Sequence, residues 1–301
     1  MYNNFNCAVV GSINMDFILK MNRVPETHEN VLGTDYGYAF GGKGANQATA
    51  LARLGANVKM IGKVAYDDNG KKLIENLNSI GIDTSGVAQN GSQTGLAAIL
   101  IDGEGRNRIV VYEGANSEIE PNEAIAHLNN TDLLLVQFET NEEAVVNTVN
   151  FAINNKITTV IDCGPAKNFQ LEKMQGADIL SPNENETRAL TGIFPESDND
   201  ILEASKILMS RSKARYIVLK LGERGCSVWD GESLKMMPAY KSNVVDTTAA
   251  GDCFTAAMAL HYKKTGNIYE ACDIGNKAGS IAVSRMGAAA SMPTIEELTK
   301  F

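Results

Sequence analysis

A run of small residues near the C-terminus ends in a carboxylate that could act as a base. Residues 246–254 read Asp-Thr-Thr-Ala-Ala-Gly-Asp-Cys-Phe, and the next six residues have apolar side chains at helical spacing. A helix that begins here would present unpaired N–H groups and the positive end of its dipole, which favour a bound anion. We expect the amides of Ala249, Ala250, Gly251 and Asp252 to form this anion site.

Asp252 would then lie in the first helical turn, beside a bound phosphoryl group. A carboxylate there can accept the proton of an attacking hydroxyl, while nearby amides stabilise charge on the phosphoryl oxygens. The alternative role is structural, because Asp is common in first helical turns, where the dipole stabilises it. Taken alone, the residue does not decide between these interpretations.

A second glycine-rich turn precedes a helical segment near the N-terminus. Residues 41–48 read Gly-Gly-Lys-Gly-Ala-Asn-Gln-Ala. A P-loop requires Ser or Thr after its lysine, whereas Gly44 follows Lys43 here, so that interpretation fails. The G-x-G-x-x-G fingerprint that a dehydrogenase would carry after a strand is also missing, which disfavours a dehydrogenase.

These two segments together resemble the paired signatures of the ribokinase family of carbohydrate kinases. The C-terminal signature is Asp-Thr-Thr-Ala-Ala-Gly-Asp, and the N-terminal one joins Gly11-Ser-Ile-Asn-Met-Asp16 to residues 41–48. Many members have Gly where this chain has Ala249, although Ala is frequent in one subgroup. The resemblance runs in order from Asn14 to Ser291. It implies an α/β fold with three layers, a mostly parallel central sheet and a small β-sheet lid.

The resemblance implies a sugar site. Amide and carboxylate side chains can pair with adjacent hydroxyls, and glycine permits close approach of the backbone. Asp16 could instead be a turn carboxylate, and Glu139 a solvated residue at a strand end. The residues implied as sugar ligands are Asn14, Asp16, Gly42, Lys43, Asn46, Glu139 and the base Asp252.

The resemblance also implies a nucleotide site and two kinds of metal ion. It assigns ATP to Asn183, Lys220, Gly222, Gly225 and Asn276. It assigns Mg²⁺, held through waters, to Glu186 with Asn183, and K⁺ to Asp246, Thr248, Gly287 and Ser291. Asn183 and Glu186 could instead form a capping box, and Asn276 could be an ordinary polar residue on a helix.

Composition limits the class of protein. The chain has 301 residues, of which 44% are hydrophobic and 21% charged, which is typical of a globular protein. Its net charge of -9 argues against a nucleic-acid partner, because such binding depends on clustered Lys and Arg. The five scattered cysteines predict reduced thiols. Without a signal segment or an 18-residue apolar stretch, we expect a cytoplasmic enzyme with no membrane partner.

Strands and helices alternate from residue 120 onward. This alternation predicts a parallel sheet covered by helices on both faces, with ligands at the carboxyl ends of the strands. The predicted strands are 132–137, 158–162, 178–180 and 216–220, and the predicted helices include 141–155 and 198–212.

The first third of the chain contains strand-like segments joined by turns. They include the strand that follows Asn14, the segment from Gly33 to Phe40, and the pair 96–101 and 108–112, with a hairpin at 102–105. We interpret the segments near 14–40 and 95–113 as a β lid on a single kinase domain, 1–301. A lid excludes water from the reaction, and an exposed lid face could bind a second copy to form a homodimer.

These inferences predict ATP-dependent phosphorylation of D-ribose at the 5-hydroxyl. One alternative is a kinase for another substrate, such as deoxyribose, a fructose-type sugar or an adenosine-like nucleoside. Another is a sugar-binding regulator without catalysis, against which the retained Asp252 argues. The sequence leaves the choice of sugar open, because only a site that hydrogen-bonds the 2-hydroxyl would reject deoxyribose strongly.

Overall fold

The computed structural model describes residues 2 and 5–301, which form two β-sheets and nine α-helices. The strands are β1 (Asn6–Val10), β2 (Asn14–Met21), β3 (Gly33–Gly41), β4 (Asn57–Ala65), β5 (Asp83–Gly91), β6 (Gly95–Ile101), β7 (Asn107–Tyr112), β8 (Leu133–Gln137), β9 (Thr158–Asp162), β10 (Ile179–Ser181), β11 (Tyr216–Lys220), β12 (Cys226–Trp229) and β13 (Leu234–Met237). The helices are α1 (Lys43–Arg53), α2 (Asp68–Ser79), α3 (Pro121–Ile125), α4 (Glu142–Asn154), α5 (Glu184–Thr191), α6 (Asp198–Ser212), α7 (Ala250–Thr265), α8 (Ile268–Ala282) and α9 (Ile295–Lys300).

The large sheet has nine strands in the order β13-β12-β11-β10-β9-β8-β1-β4-β5. Its neighbouring strands are parallel except where β12 pairs with β11 and β13. The predicted strands after residue 120 are all present, α6 has the predicted bounds, and α4 lies within its predicted range. The mostly parallel sheet is therefore confirmed.

Helices cover both faces of the large sheet, as the continuous apolar strands predict. In β1, Cys7 and Val9 pack into a core with α1, α2, α7 and α8, whereas Ala8 and Val10 pack into a second core with α3 to α6. Successive strand residues point to opposite faces, so an apolar run with no polar alternation must be buried on both sides. The three layers follow from this pattern.

The small sheet has four strands in the order β3-β2-β6-β7. Strands β2 and β6 are parallel, and the other pairs are antiparallel. The predicted hairpin at 102–105 is present, and the amide of Gly105 donates to the carbonyl of Asp102 at 2.9 Å. The first third also supplies β1, β4 and β5 to the large sheet, and of these β4 and β5 were not predicted.

The small sheet lies at the carboxyl end of the large sheet. Strand β2 begins four residues after β1 ends, and β3 runs directly into α1. The ends of β8 to β11 and the starts of α1, α5 and α7 carry the residues discussed below. Within residues 2 and 5–301, no helix is both long and apolar enough to span a bilayer.

Candidate active site

The start of α7 has the backbone shape that the sequence predicts for an anion site. Ala249 is the N-cap residue and adopts a left-handed conformation with φ of 59°, and the amide of Cys253 donates to its carbonyl at 2.9 Å. A left-handed conformation costs a residue with a Cβ about 1–2 kcal/mol, whereas glycine adopts it freely. The small-residue run therefore begins the helix under local strain.

The four amides predicted to bind the anion are not equivalent. The amide of Ala250 donates to the carbonyl of Thr247 at 3.3 Å, which is a long hydrogen bond. Within the described part of the chain, the amides of Gly251 and Asp252 have no backbone acceptor, because they precede the first intrahelical bond. The amide of Ala249 likewise has no backbone acceptor there, so three of the four amides are able to bind phosphoryl oxygens.

Asp252 is buried in a network of side-chain donors. Its Oδ2 accepts from Nδ2 of Asn46 at 3.0 Å, and its Oδ1 accepts from Nε2 of Gln47 at 3.2 Å. Burial raises the pKa of Asp252 above its ordinary value, although Lys43 opposes this shift. A carboxylate with a raised pKa is a better proton acceptor than an exposed one, as a general base requires.

Lys43 lies among carboxylates from three different elements. Its Nζ is 3.6 Å from Oδ1 of Asp162, 3.7 Å from Oδ1 of Asp252 and 3.8 Å from Oε1 of Glu186. Burial alone would lower the pKa of this ammonium, but the surrounding carboxylates hold it well above its ordinary value. Lys43, a predicted sugar ligand, thus also offsets the negative charge around the predicted base Asp252.

Asp162, at the end of β9, was missed as a site residue. It is fully buried, and its Oδ2 accepts from Nζ of Lys220 at 2.6 Å and from Oγ1 of Thr255 at 2.9 Å. Burial opposes ionisation, but Lys220 and Lys43 hold the pKa of Asp162 well below its ordinary value. The available signal was an acidic residue at the carboxyl end of a buried parallel strand, where ligands of such sheets gather.

Asn14 is oriented by Asn116, which the sequence did not identify. Oδ1 of Asn14 accepts from Nδ2 of Asn116 at 2.7 Å, and Oδ1 of Asn116 accepts from the amide of Ile13 at 2.9 Å. Both asparagines are buried. Because its oxygen is occupied by a donor, Asn14 has its Nδ2 group available to donate to a ligand.

Asp16 packs against a glycine that leaves space for its carboxylate. A Cβ on Gly41 would lie 2.2 Å from Oδ2 of Asp16. Burial, reinforced by Glu139 and Asp252, raises the pKa of Asp16 to about 7. Gly42 has φ of 92°, and a Cβ there would lie 2.7 Å from the carbonyl of Ser12. The turn before α1 therefore requires glycine for steric and conformational reasons.

Glu139 is buried rather than solvated. It accepts from the hydroxyl of Ser12 and, at 3.1 Å, from the amide of Lys43. These bonds tie the end of the β8 segment to the glycine turn before α1. The structure therefore brings the predicted sugar ligands on β2, α1 and the β8 segment together around Asp252.

The predicted capping alternative for Asn183 is correct. The amide of Glu186 donates to Oδ1 of Asn183 at 2.9 Å, and the amide of Asn183 donates to Oε2 of Glu186 at 2.7 Å. Burial raises the pKa of Glu186 despite the opposing charge of Lys220. The capping box positions this buried carboxylate close to Lys43, so structural and ligand roles are compatible.

The turn after β11 borders the start of α7. Gly225 has φ of 87°, its amide donates to the carbonyl of Gly222 at 3.0 Å, and an added Cβ would lie 2.1 Å from the carbonyl of Met237. A Cβ on Gly251 would lie 4.0 Å from Cδ of Lys220. The predicted nucleotide residues 220–225 therefore lie beside the predicted anion site.

Asn276 holds α8 against the chain after β13. Its Nδ2 donates to the carbonyls of Met237 and Pro238, both at 3.2 Å. These bonds give Asn276 the structural role that the sequence left open. A contact with adenine stays a prediction.

Three of the four residues predicted to bind K⁺ are in contact. Oδ1 of Asp246 accepts from the amide and hydroxyl of Thr248 at 2.9 and 2.6 Å, and its Oδ2 accepts from the amide of Gly287 at 2.9 Å. Ser291 is buried and donates to the carbonyl of Ala288 at 2.8 Å. Asp246 thus joins the segment before α7 to the segment after α8, with hard oxygen atoms suited to such an ion.

No group of three His, Cys, Asp or Glu side chains is arranged as a metal centre within residues 2 and 5–301. Mg²⁺ usually keeps several waters beside substrate phosphates and needs only one or two carboxylates from the protein. Glu186 offers one such carboxylate, which is buried in the first turn of α5 beside Asn183.

A groove of about 460 Å³ lies elsewhere, between residues 241–243, α8 and α9. Its lining includes Arg285 and Glu297, which pair with each other at 2.7 Å. The residues that line this groove do not include the predicted base, sugar ligands or metal ligands. The groove therefore lies apart from the residues predicted to carry out the chemistry.

Known proteins resemble this chain over nearly its whole length. The model of the pfkB family carbohydrate kinase matches residues 4–295. The ribokinase of Bacillus subtilis is 34% identical over 300 residues, which cover 97% of this chain and 98% of the relative. The deoxyribokinase of Salmonella typhimurium is 29% identical over 299 residues, which cover 98% of this chain and 97% of the relative.

A solved structure also matches the fold. The ribokinase of Arabidopsis thaliana, complexed with ribose and ATP, superimposes with a TM-score of 0.87 at 30% identity, covering 98% of this chain and 97% of that chain. The predicted three-layer fold and the predicted kinase class are confirmed. Because the family model spans nearly all residues, the chain belongs to the pfkB family of carbohydrate kinases.

Proposed function

We propose that this kinase transfers the γ-phosphoryl group of ATP to the 5-hydroxyl of D-ribose. The observation that carries the proposal is Asp252, a buried carboxylate in the first turn of α7 that accepts from the predicted sugar ligand Asn46 at 3.0 Å. One residue thereby links the anion site of α7 to the sugar site. The Bacillus ribokinase and the Arabidopsis structure with ribose and ATP support ribose as the sugar.

In this reaction Asp252 accepts the proton of the sugar hydroxyl as the oxygen attacks the γ-phosphorus. The bond from that phosphorus to the β,γ-bridging oxygen breaks, and ADP leaves with the electron pair. The amides of Gly251 and Asp252 donate to the phosphoryl oxygens, where charge accumulates in the transition state. Lys43 offsets the negative charge of the carboxylates around the base.

The nucleotide would lie along the turn after β11, with Lys220, Gly222 and Gly225 near the phosphates and Asn276 toward the adenine. Asn183 and Glu186 would hold hydrated Mg²⁺, which neutralises charge on the phosphates when it is bound. The segment joined by Asp246 would hold K⁺ and so order the turn that precedes α7. The small sheet would act as the lid that excludes water.

Deoxyribose is the second candidate substrate, because the Salmonella deoxyribokinase is also similar over nearly the whole chain. Asp16 bears on this choice because its buried carboxylate can accept from sugar hydroxyls. A site with such an acceptor rejects a sugar that lacks the matching hydroxyl, because the acceptor would be left buried and unpaired. We propose that Asp16 faces the 2-hydroxyl, which makes ribose the favoured substrate.

We also propose a homodimer formed through the outer face of the small sheet. This face carries three residues that lie in register across the strands, namely Phe17, Tyr38 and Val110. Tyr38 is 64% exposed and Val110 is 68% exposed. Tyr36 and Tyr112, on the same face, are 68% and 51% exposed. A contiguous apolar face of this kind is suited to burial against a second copy. A monomeric mass by light scattering at micromolar concentration would contradict the dimer.

The location we propose is the cytoplasm. All five cysteines are buried and unpaired, which suits a reducing compartment. Fractionation of the producing cell, followed by immunoblotting, would test this location.

The substrate is tested by measuring ADP release with MgATP and a panel of ribose, deoxyribose, fructose and adenosine, each with and without K⁺. We expect the highest kcat/KM with ribose and a higher rate with K⁺. Equal or better turnover of deoxyribose would overturn the ribose assignment. Binding of ribose by calorimetry without turnover of any substrate would instead favour the non-catalytic regulator.

A further inference from the structure

Gln47 is a buried amide placed between two carboxylates. It lies on α1 next to Asn46, and its side chain is fully buried. Its Nε2 is 3.2 Å from Oδ1 of Asp252 and 3.2 Å from Oδ2 of Asp162. An amide nitrogen carries two hydrogens, so one NH₂ group can donate to both carboxylates at once.

The orientation of this amide follows from its surroundings. Two carboxylate acceptors on one side require the nitrogen of Gln47 to face them, because its oxygen would be repelled. The oxygen of Gln47 then accepts from Nε2 of Gln137 at 2.7 Å. Gln137 is itself fully buried at the end of β8, packed so closely against Gly11 that a Cβ there would lie 1.8 Å from its Oε1. The chain of donors therefore runs from Gln137 through Gln47 to Asp252.

These hydrogen bonds matter because Asn46, the other residue whose amide donates to Asp252, is a predicted sugar ligand. When Asn46 turns its Nδ2 toward a sugar hydroxyl, Gln47 remains as the amide donor that holds Oδ1 of Asp252. Oδ2, released by Asn46, is then free to accept the proton of the sugar hydroxyl. The NH₂ group also bridges Asp252 and Asp162, and it acts together with Lys43, whose ammonium offsets the repulsion between the two carboxylates.

We propose that Gln47 is a positioning residue that holds the carboxylate of Asp252 in its reactive orientation, with Gln137 fixing the direction of the Gln47 amide. The inference rests on the proposed kinase function. It predicts that losing the amide lowers the rate of the chemical step without weakening the binding of the sugar.

The test compares kcat and the KM for ribose in Gln47→Met with those in wild type. Methionine has a similar length and no N–H donor, so the carboxylate of Asp252 loses its fixed partner. We expect kcat to fall about 10- to 100-fold, because small misplacement of a reacting group has effects of this size, and the KM for ribose to stay within about threefold. The affinity for ribose by calorimetry should likewise be unchanged.

Two further variants separate positioning from folding. Gln137→Met leaves Gln47 in place but removes the donor that directs it, so we expect a smaller fall in kcat in the same direction. Thr49→Val is the matched control, because buried Thr49 lies on the same helix and donates to the carbonyl of Ala45 at 2.8 Å within that helix. It should keep the kcat and KM of wild type.

A wild-type kcat in Gln47→Met would overturn the inference. So would a fall in kcat that is matched by an equal loss of ribose binding or by a reduced folded fraction in circular dichroism, because either would indicate a structural role alone. If wild type itself turns over none of the substrates, the proposed function fails, and the inference fails with it. An active wild type with an unaffected variant removes only the inference.

Discussion

The start of α7 and the small sheet differ in how completely their residues are fixed. Around α7, Asp252 accepts from two amides, and Asp162 accepts from an ammonium and a hydroxyl, all in the buried interior. The outer face of the small sheet instead exposes Tyr38 and Val110, which are 64% and 68% exposed. The difference indicates that protein contacts alone hold the buried groups around α7 in place, whereas the small sheet, our proposed lid, keeps an exposed apolar face.

The largest effect on the buried region around the start of α7 is expected from breaking the ion pair between Lys220 and Asp162. Lys220→Met leaves the fully buried carboxylate of Asp162 without the Nζ that lies 2.6 Å away. Loss of one partner of a buried pair typically costs about 3–5 kcal/mol. We therefore expect urea denaturation to give a free energy of unfolding lower by about that amount.

The matched control combines Lys220→Met with Asp162→Asn. Removing both charges takes away the unpaired buried carboxylate, so the double variant should be more stable than Lys220→Met alone. A single variant as stable as wild type would mean that the pair does not organise this region.

Asp16 links the two regions, because it lies on β2 and faces Asp252. Its pKa of about 7 in the folded protein means that a proton competes with sugar hydroxyls below that pH. We expect the KM for ribose to fall severalfold as pH rises from 6 to 8. Asp16→Asn should raise the KM about 10- to 100-fold, the effect of losing a hydrogen bond to a charged group, and should abolish this pH dependence.

The same shift predicts how stability depends on pH. The ordinary pKa of an Asp is 3.8, and the folded state holds its proton more tightly. Between about pH 4 and pH 7 the folded state therefore binds more protons than the unfolded state, so Asp16 makes folding less favourable as pH rises through this window. Asp16→Asn should remove that contribution. If the free energy of unfolding, measured by urea denaturation, depends on pH in the same way in wild type and Asp16→Asn, the raised pKa would be contradicted.

The exposed face of the small sheet should tolerate substitution without loss of folding. Tyr38→Lys adds a charge to a side chain that is 64% exposed, so we expect the free energy of unfolding of the monomer to change by less than about 0.5 kcal/mol. Light scattering should nevertheless report a monomer. A variant that stays dimeric would place the dimer interface elsewhere.

A comparably small effect on stability concerns backbone strain at Ala249. Ala249 has a left-handed conformation that costs about 1–2 kcal/mol, and replacement by glycine removes this cost. Glycine, however, loses more backbone entropy on folding, which costs about 0.5–1 kcal/mol. The net gain in stability for Ala249→Gly should be about 0.5 kcal/mol, measurable as a small rise in Tm. A lower Tm would mean that the Ala249 methyl contributes packing that outweighs the strain.

The sequence predicted the elements better than the contacts between them. The start of α7, the hairpin at 102–105 and the bounds of α6 follow from local patterns, namely small residues before an apolar run, turn residues and helical spacing. Strands β4 and β5 were not predicted, because polar residues and glycines interrupt their sequences and leave no continuous apolar run.

The missed site residues have a common cause. Gln47, Asn116 and Asp162 act through partners on other elements, such as the contact of Gln47 with Asp252, which is 205 residues away. Such pairs form only when α1, α7 and the ends of β8 and β9 come together in the fold. Neither the periodicity nor the spacing of residues in a single sequence predicts these contacts between distant elements. Only Asp162 carried a local signal, because it is the last residue of a buried strand.

The most direct test of the central claim is the rate of ribose-dependent ADP release in Asp252→Asn. The variant keeps the size of the side chain but removes the proton acceptor, and general base catalysis contributes about 10²- to 10⁴-fold. We predict that kcat falls within that range while the affinity for ribose measured by calorimetry is retained. A variant with the kcat of wild type would contradict the assignment of Asp252 as the base.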